Sequence, residues 1–381
     1  MKYHMKLKLK QKSIIFMIDG FDMRYYEATS MPVMEKMARD GFFKSGSAIF
    51  PSLTNANNIS IACGCWPEDH GVTTNCYYDE TSNRAVFLEH SDFLTAQTLF
   101  QRGAETGMRS ALLTCKAKTS KILGGGASYT VAAESPGDAV CRKYGPVPPM
   151  YSSEINYWLF DIALDLARNR PDIDLIYVHT TDYPMHMWPP EATESQVHMK
   201  KIDEYLGQFL EVAPDHTIAL TADHGMNYKK RCYDLTKACR NRGVELKFAV
   251  SPVADRLLKH HRGFGGVSFV HLKNPEDYQR AVAAIQTLDG VEAVLDKETA
   301  ARKFSLMESR IGDLVVLPDK DTVFGDLPQE YEELAADYRS HGSLHEMQIP
   351  LLLYNCNGAA PRYKDINYNI DVTRFLFDGE G

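Results

Sequence analysis

Six carboxylate and imidazole side chains flank short apolar runs, where a chain can gather residues for chemistry. Asp19 follows SIIFMI. Asp182 and His186 lie in HTTDYPMH, Asp223 and His224 in TADHG, and His341 precedes IPLLLY. Three carboxylates and three imidazoles make a mixed oxygen and nitrogen donor set. That set suits zinc, or another borderline divalent ion such as manganese or iron. Divided between two ions about 3.5–4 Å apart, it can clamp the attacking and phosphoryl oxygens of an in-line displacement. Taken singly, each residue has a plainer use, since an Asp after a strand often caps the next helix. The order, and the repeated placement at strand ends, carry the metal reading.

Thr54, in PSLTNANNISIACGC, adds a nucleophile. As a helix N-cap it would satisfy backbone N–H groups. The same helix end favours negative charge, so a threonine beside a divalent ion there could lose its proton and attack phosphorus. Asn75, in HGVTTNCYYD, could donate to a phosphoryl oxygen alongside the Thr54 backbone N–H.

The elements that must position these residues alternate. Apolar runs at Ser13–Ile18, Gly46–Phe50, Ser110–Thr114, Asp174–His179, His216–Thr221 and Ile349–Tyr354 read as strands. Helical spacing predicts helices at Met31–Asp40, Asn57–Cys65, Ser91–Thr106, Ser153–Asn169, Gln196–Leu210 and Ile370–Phe377. Such alternation predicts an α/β fold: a three-layer α/β/α arrangement around a mostly parallel sheet. In open parallel sheets ligands bind beyond the carboxyl ends of the strands, so the donors can converge although sequence separates them. The pattern changes near Tyr228. Strands at Gly266–Leu272, Gly290–Leu295 and Asp313–Pro318, with helices at Pro275–Leu288 and Lys297–Phe304, predict a small α+β cap. The expected organisation is a core of residues 1–227 and 331–381 with an inserted cap at 228–330.

Bulk properties narrow the function classes. The 381-residue chain carries a formal net charge of −8, which gives no reason to expect nucleic-acid binding. Its Lys-rich start, Met1–Lys12, reads as a solvated basic arm and lacks the apolar core of a signal peptide. No run approaches the about 20 apolar residues of a membrane span. The eight cysteines are scattered, only Cys63 and Cys65 being close, and read as reduced thiols of a cytoplasmic protein. A homodimer is left open.

The order Asp19, Thr54, Asp182-x-x-x-His186, Asp223-His224, His341 resembles the alkaline phosphatase superfamily, and within it the nucleotide pyrophosphatase/phosphodiesterase branch. The resemblance spans the whole core, with a cap inserted before the last histidine. It implies two Zn2+ ions, with Mn2+ or Fe2+ as alternatives. Asp182, His186 and His341 would hold one ion; Asp19, Thr54, Asp223 and His224 would hold the other. Thr54 would be the nucleophile, forming a phosphoryl-threonine that water cleaves.

Within that branch PSLTNANNISI is similar to the nucleophile segment of the phosphonoacetate hydrolases, and LLTCKAKTSKILG to their Lys-x-Lys segment. SHGSL resembles their His-Gly-Gly-Leu, with Ser343 in place of glycine, and this pattern selects His341 over nearby His345. The likeness implies that Lys116 and Lys118 bind a substrate carboxylate; alone they would read as a solvated loop, and Lys121 is left open between assisting them and solvation. Two cations have a chemical use here. Cleaving a carbon–phosphorus bond makes carbon the leaving group, and its charge can delocalise onto a carboxylate as an enediolate that cations stabilise. An i, i+2 pair at a strand end would let both face one pocket. The expected activity is hydrolysis of phosphonoacetate to acetate and phosphate. A phosphodiesterase or nucleotide pyrophosphatase is the alternative, the substrate in either case being a small phosphonate or phosphate ester.

Overall fold

The computed structural model describes residues 8–79, 81–250, 262–356, 362 and 364–378. Eleven strands matter for the site: β1 (Ser13–Met17), β2 (Phe42–Ser47), β3 (Ser110–Thr114), β4 (Tyr129–Ala132), β5 (Leu175–His179), β6 (Thr217–Thr221), β7 (Leu246–Ala249), β8 (Ser268–Leu272), β9 (Val291–Asp296), β10 (Leu314–Pro318) and β11 (Gln348–Tyr354).

Seven of them form the central sheet, in the order β2-β11-β6-β1-β5-β3-β4. β6, β1, β5, β3 and β4 pair in parallel, and β11 runs antiparallel to both β6 and β2. The mostly parallel α/β sheet expected from the alternation is therefore the architecture found. SIIFM, SALLT, LIYVH and TIALT are buried along their whole length. Continuous apolar runs of this kind suit strands covered on both faces. Helices Pro32–Asp40, Glu154–Asn169 and Thr193–Val212 pack together on the sheet, and Thr54–Cys63, Leu99–Glu105, Ala117–Leu123 and Asn369–Leu376 form a second set. Each fully buried Ile, Leu or Phe between the layers contributes about 1.5–3 kcal/mol.

Register aligns the strand ends. Thr114, His179, Met17 and Thr221 lie side by side across β3, β5, β1 and β6. Lys116, Asp182, Asp19 and Asp223 follow within two or three residues, so all four leave the sheet at one edge. Because β11 is antiparallel, the segment entering it, which carries His341, starts from that same edge. β2 runs with the parallel strands, and its exit leads to Thr54.

A second, antiparallel sheet has the order β7-β8-β10-β9. Helix Tyr278–Gln286 packs with β9, and Lys297–Phe304 with β9 and β10. Phe269, Val315 and Leu317 join Phe50, Leu53 and Ala56 in one apolar cluster, with the Phe50 and Phe304 rings 4.1 Å apart. The second sheet thus backs the loop that leads into the Thr54 helix. Arg231–Tyr233 pairs with Thr322–Phe324 and with Tyr331–Glu333.

Several boundaries differ from the sequence reading. The strand expected at Gly46–Phe50 is instead Phe42–Ser47, an edge strand with a mostly half-exposed pattern. The buried apolar residues Ala48–Phe50 lie beyond the end of that strand, and Phe50 packs with Leu53 and Ala56 of the Thr54 segment. The helix expected at Ser91–Thr106 is a single turn at Ser91–Phe93 followed by Leu99–Glu105. Thr98 starts the latter with a reciprocal cap to Gln101. The Asn57–Cys65 helix begins earlier, at Thr54, and ends at Gly64, whose φ of 63° suits glycine. Residues 1–7 of the basic arm lie outside the described residues, while Lys8–Leu9 pairs with Phe377–Asp378. No described helix is long and apolar enough to cross a membrane. The eight cysteines are free thiols, and Cys63 packs in the core.

Candidate active site

Thr54 is not the helix cap. Leu53 holds that position in extended conformation, without a side-chain cap, and Thr54 is the first helical residue. Its hydroxyl is therefore released from the helix, and Oγ1 lies 3.1 Å from His224 Nε2. The loop before it is fixed by Asn57. The Asn57 side chain donates to the carbonyls of Ile49, Pro51 and Leu53 and accepts from the Ile49 N–H.

The six strand-end donors converge. Asp182 Oδ2 lies 2.9 Å from His186 Nε2 and 3.9 Å from His341 Nε2. His224 Nε2 lies 3.2 Å from Asp223 Oδ2 and 3.4 Å from Asp19 Oδ1. The His224 and His341 rings stack, centroids 3.5 Å apart at 9°. Ligand atoms of Asp182, His186 and His341 fall within 4.8 Å of one another, as do those of Asp19, Asp182 and His224. Asp182 thus belongs to both groups.

The remaining contacts of each imidazole decide what its Nε2 presents. Nδ1 of His186 faces the Arg339 carbonyl at 3.0 Å, that of His341 the Ser52 carbonyl at 2.8 Å, and that of His224 the Gly225 carbonyl at 2.9 Å. A carbonyl can only accept, so each ring carries its proton on Nδ1 and offers a lone pair at Nε2. Those lone pairs point at carboxylate oxygens. Asp19 Oδ1 and Asp223 Oδ2 are buried atoms with no hydrogen-bond partner. Acceptors aimed at acceptors in a buried place call for a cation between them.

Electrostatics agree. Burial, with Asp182 and Asp223 nearby, holds the Asp19 carboxyl well above the usual range, and burial raises Asp223 too. Burial pushes His224 down to about 4 and His341 well below the ordinary imidazole value. Both classes are driven toward their neutral forms, which is the response of a desolvated cluster lacking compensating charge. A divalent cation would invert that balance. The residues therefore fit a metal centre of oxygen and nitrogen donors.

Lys116 closes the approach. It is the N-cap of Ala117–Leu123, and its Nζ lies 4.0 Å from both Asp19 Oδ2 and Asp182 Oδ1. Lys118 is the second residue of that helix and is buried. The pair therefore does not alternate along a strand: Lys116 is extended and Lys118 is already helical. Lys121 is exposed. His345 faces Glu292 at 3.1 Å, outside the cluster. Asn75 precedes the hairpin strand Cys76–Asp79; its carbonyl accepts from Leu88, its Oδ1 is buried without a partner, and the hydrogen bonds of the cluster do not include it.

Sequence reasoning missed His179, whose Nε2 lies 3.3 Å from Asp19 Oδ2. It also missed Ser52, whose carbonyl orients His341 and whose hydroxyl accepts from the Gly342 N–H at 3.1 Å. A signal for the first existed: Tyr177 and His179 are polar residues two apart in a buried strand, hence on one face.

A family model described as type I phosphodiesterase / nucleotide pyrophosphatase matches residues 13–344. Human (Homo sapiens) ectonucleotide pyrophosphatase/phosphodiesterase family member 7 is 28% identical over 243 residues, covering 60% of this chain and 51% of the relative. Venom phosphodiesterase of Naja atra is 26% identical over 230 residues, covering 56% of this chain and 26% of the relative. The chain thus spans about half, or less, of the length of these curated relatives. Among solved structures, phosphonoacetate hydrolase from Sinorhizobium meliloti 1021 in complex with phosphonoformate aligns with a TM-score of 0.87 at 26% identity over 98% of each chain. Murine ectonucleotide pyrophosphatase / phosphodiesterase 5, at 17% identity and a TM-score of 0.71 over 96% of this chain and 94% of its own, shares the fold.

Proposed function

Because the chain belongs to the type I phosphodiesterase / nucleotide pyrophosphatase family, we propose that it is a metal-dependent phosphonoacetate hydrolase, releasing acetate and phosphate. The observation that carries this reading is the ammonium of Lys116, 4.0 Å from both Asp19 and Asp182. It stands at the donor cluster that Thr54 joins through His224, where a carboxylated leaving group needs a cation and a simple ester does not. End-to-end similarity to a hydrolase solved with phosphonoformate and with phosphonoacetate supports it.

In this reading Asp182, His186 and His341 hold one divalent ion, zinc by donor chemistry, and Asp19, Thr54, Asp223 and His224 hold the other. When bound, the two ions supply charge neutralisation for the phosphoryl oxygens and for the Thr54 alkoxide. Thr54 Oγ1 forms the new oxygen–phosphorus bond as the carbon–phosphorus bond breaks. The carbon leaves with the bonding pair, which spreads onto the carboxylate as an enediolate held by Lys116 and Lys118. The proton that the Thr54 hydroxyl loses passes to solvent, a proton from water turns the leaving carbon into the methyl group of acetate, and a further water then cleaves the phosphoryl-threonine. Asn75 and the N-terminus of the Thr54 helix donate to the phosphoryl oxygens.

A phosphodiesterase is the second reading. It keeps the donors and Thr54 and leaves the lysines incidental, and the names of the curated relatives favour it at comparable identity. A substrate panel on zinc-loaded protein, read as phosphate from the phosphonates and as nucleotide or aryl alcohol from the esters, separates the two. It compares phosphonoacetate, phosphonopyruvate, 2-aminoethylphosphonate, a nucleotide and an aryl phosphodiester. The expected outcome is fastest release from phosphonoacetate. Rapid diester cleavage with an inert phosphonoacetate would hand the case to the second reading.

A further inference from the structure

His179, the last residue of β5, has no part in the proposed reaction, yet it meets three buried polar groups, one of them the proposed ligand Asp19. Its Nδ1 lies 3.1 Å from Asn58 Nδ2 and 2.9 Å from Thr114 Oγ1, and its Nε2 lies 3.3 Å from Asp19 Oδ2. His179, Asn58, Thr114, Tyr177 and Asp19 are each at most 1% exposed.

The direction of the chain of bonds is set from its far end. The Tyr177 hydroxyl donates to Asn58 Oδ1 at 2.6 Å, which turns the Asn58 amide so that its NH2 faces His179. Nδ1 of His179 is therefore an acceptor, and the ring proton sits on Nε2, pointing at Asp19. This is the reverse of His186, His224 and His341, whose protons sit on Nδ1. Thr114 reinforces the arrangement: its oxygen accepts the Lys116 backbone N–H at 3.3 Å, leaving the hydroxyl proton for His179 Nδ1.

We propose that His179 is a positioning residue that selects which oxygen of Asp19 meets the divalent ion. Its Nε2–H occupies Oδ2, so Oδ1, which has no hydrogen-bond partner and lies 3.4 Å from His224 Nε2, is the oxygen left for the metal. Asn58 lies one helical turn after Thr54. The helix that presents the nucleophile therefore also fixes the tautomer that orients the first ligand. This inference rests on the metal-centre reading above.

The test is zinc affinity measured against a competing chelator, with the visible spectrum of the Co2+-substituted protein, for wild type, His179→Leu and His179→Gln. The expected result is two zinc ions in the wild type. In His179→Leu the affinity for one of them falls about 10–100-fold and the cobalt spectrum changes. His179→Gln, which keeps a donor toward Asp19, recovers most of the loss. Should the leucine variant not fold, His179→Asn is read instead, being polar but too short to reach Asp19 and Asn58 together. Wild-type affinity for both ions in the leucine or asparagine variant overturns the inference while leaving the metal centre standing. So does a glutamine variant no better than leucine. A wild type that binds no divalent ion removes both.

Discussion

At Thr54 the hydroxyl turns away from its own helix and toward His224, and that orientation suits attack more than capping. Thr54→Ala should keep its fold and bind zinc, while turnover of phosphonoacetate falls on the order of 10³-fold or more, as for removal of other nucleophiles. Steady-state phosphate release checks it, and near-normal turnover would sink the assignment. Lys116→Ala should lower kcat/KM for phosphonoacetate about 10²-fold, the scale of a lost charge-stabilising donor, and change an aryl phosphodiester far less. Equal losses on both substrates would deny the lysine its carboxylate. The strand-end Asp and His residues were legible in the sequence because each stands beside an apolar run in a recurring order. Asn58 and Ser52 were not, because a lone polar residue reveals nothing until its partner arrives from a distant segment, and the Tyr177–His179 spacing marks a shared face without naming Asp19 as the partner. For Lys116 and Lys118 the spacing is legible in the sequence, but the helix that begins between them is not.

Among the elements, the two loops that carry His224 and His341 are held by one buried ion pair. Lys229 Nζ lies 2.8 Å from Glu346 Oε1, with both side chains fully buried. Glu346 also accepts from the Ser343 N–H and hydroxyl and from Asn227, and its carbonyl accepts from the Gly225 N–H. Burial alone would raise the Glu346 carboxyl, but the Lys229 charge and these donors outweigh it and hold it down at about 2. Ser343 thus has work in this chain as a donor to Glu346. Glu346→Ala leaves a buried ammonium unpaired, so unfolding free energy should fall by about 3–5 kcal/mol in a denaturant titration. A loss below about 1 kcal/mol would mean that the pair is idle. The sequence suggested the elements here better than their limits. Ala48–Phe50 look like a strand end because they are apolar, yet they lie beyond the end of the strand, Ala48 buried in the main core and Phe50 against the second sheet. No local pattern distinguishes those two kinds of burial.

For the whole molecule, the sheet converts distant sequence positions into one edge, and burial at that edge and elsewhere sets a response to acid. His70 and His198, outside the donor cluster, are neutral in the fold because burial pushes each down to about 3 from 6.5. The unfolded chain binds more protons in that interval, so stability is full above about pH 6.5 and declines as the pH falls toward 3. Glu346 extends the decline, since its contribution is complete above about 4.5 and is lost as the pH falls through about 2. Denaturation midpoints measured from pH 7 to pH 3 should therefore fall steadily, and His198→Asn should flatten the upper part of the slope. An unchanged slope in that variant would contradict a buried neutral imidazole at this position. The alternation of strands and helices made the parallel sheet readable. The antiparallel β11 was readable only as a strand, yet its direction is what brings His341 to the shared edge.

The account's central claim is that this edge holds two divalent ions that the hydrolysis requires. The direct measurement is phosphonoacetate turnover of chelator-stripped protein as Zn2+ is added back, with bound zinc determined in the same samples. The expected result is no turnover without metal, recovery with added zinc, and a plateau at about two ions per chain. Full turnover by stripped protein, or a protein that takes up no zinc, would contradict it.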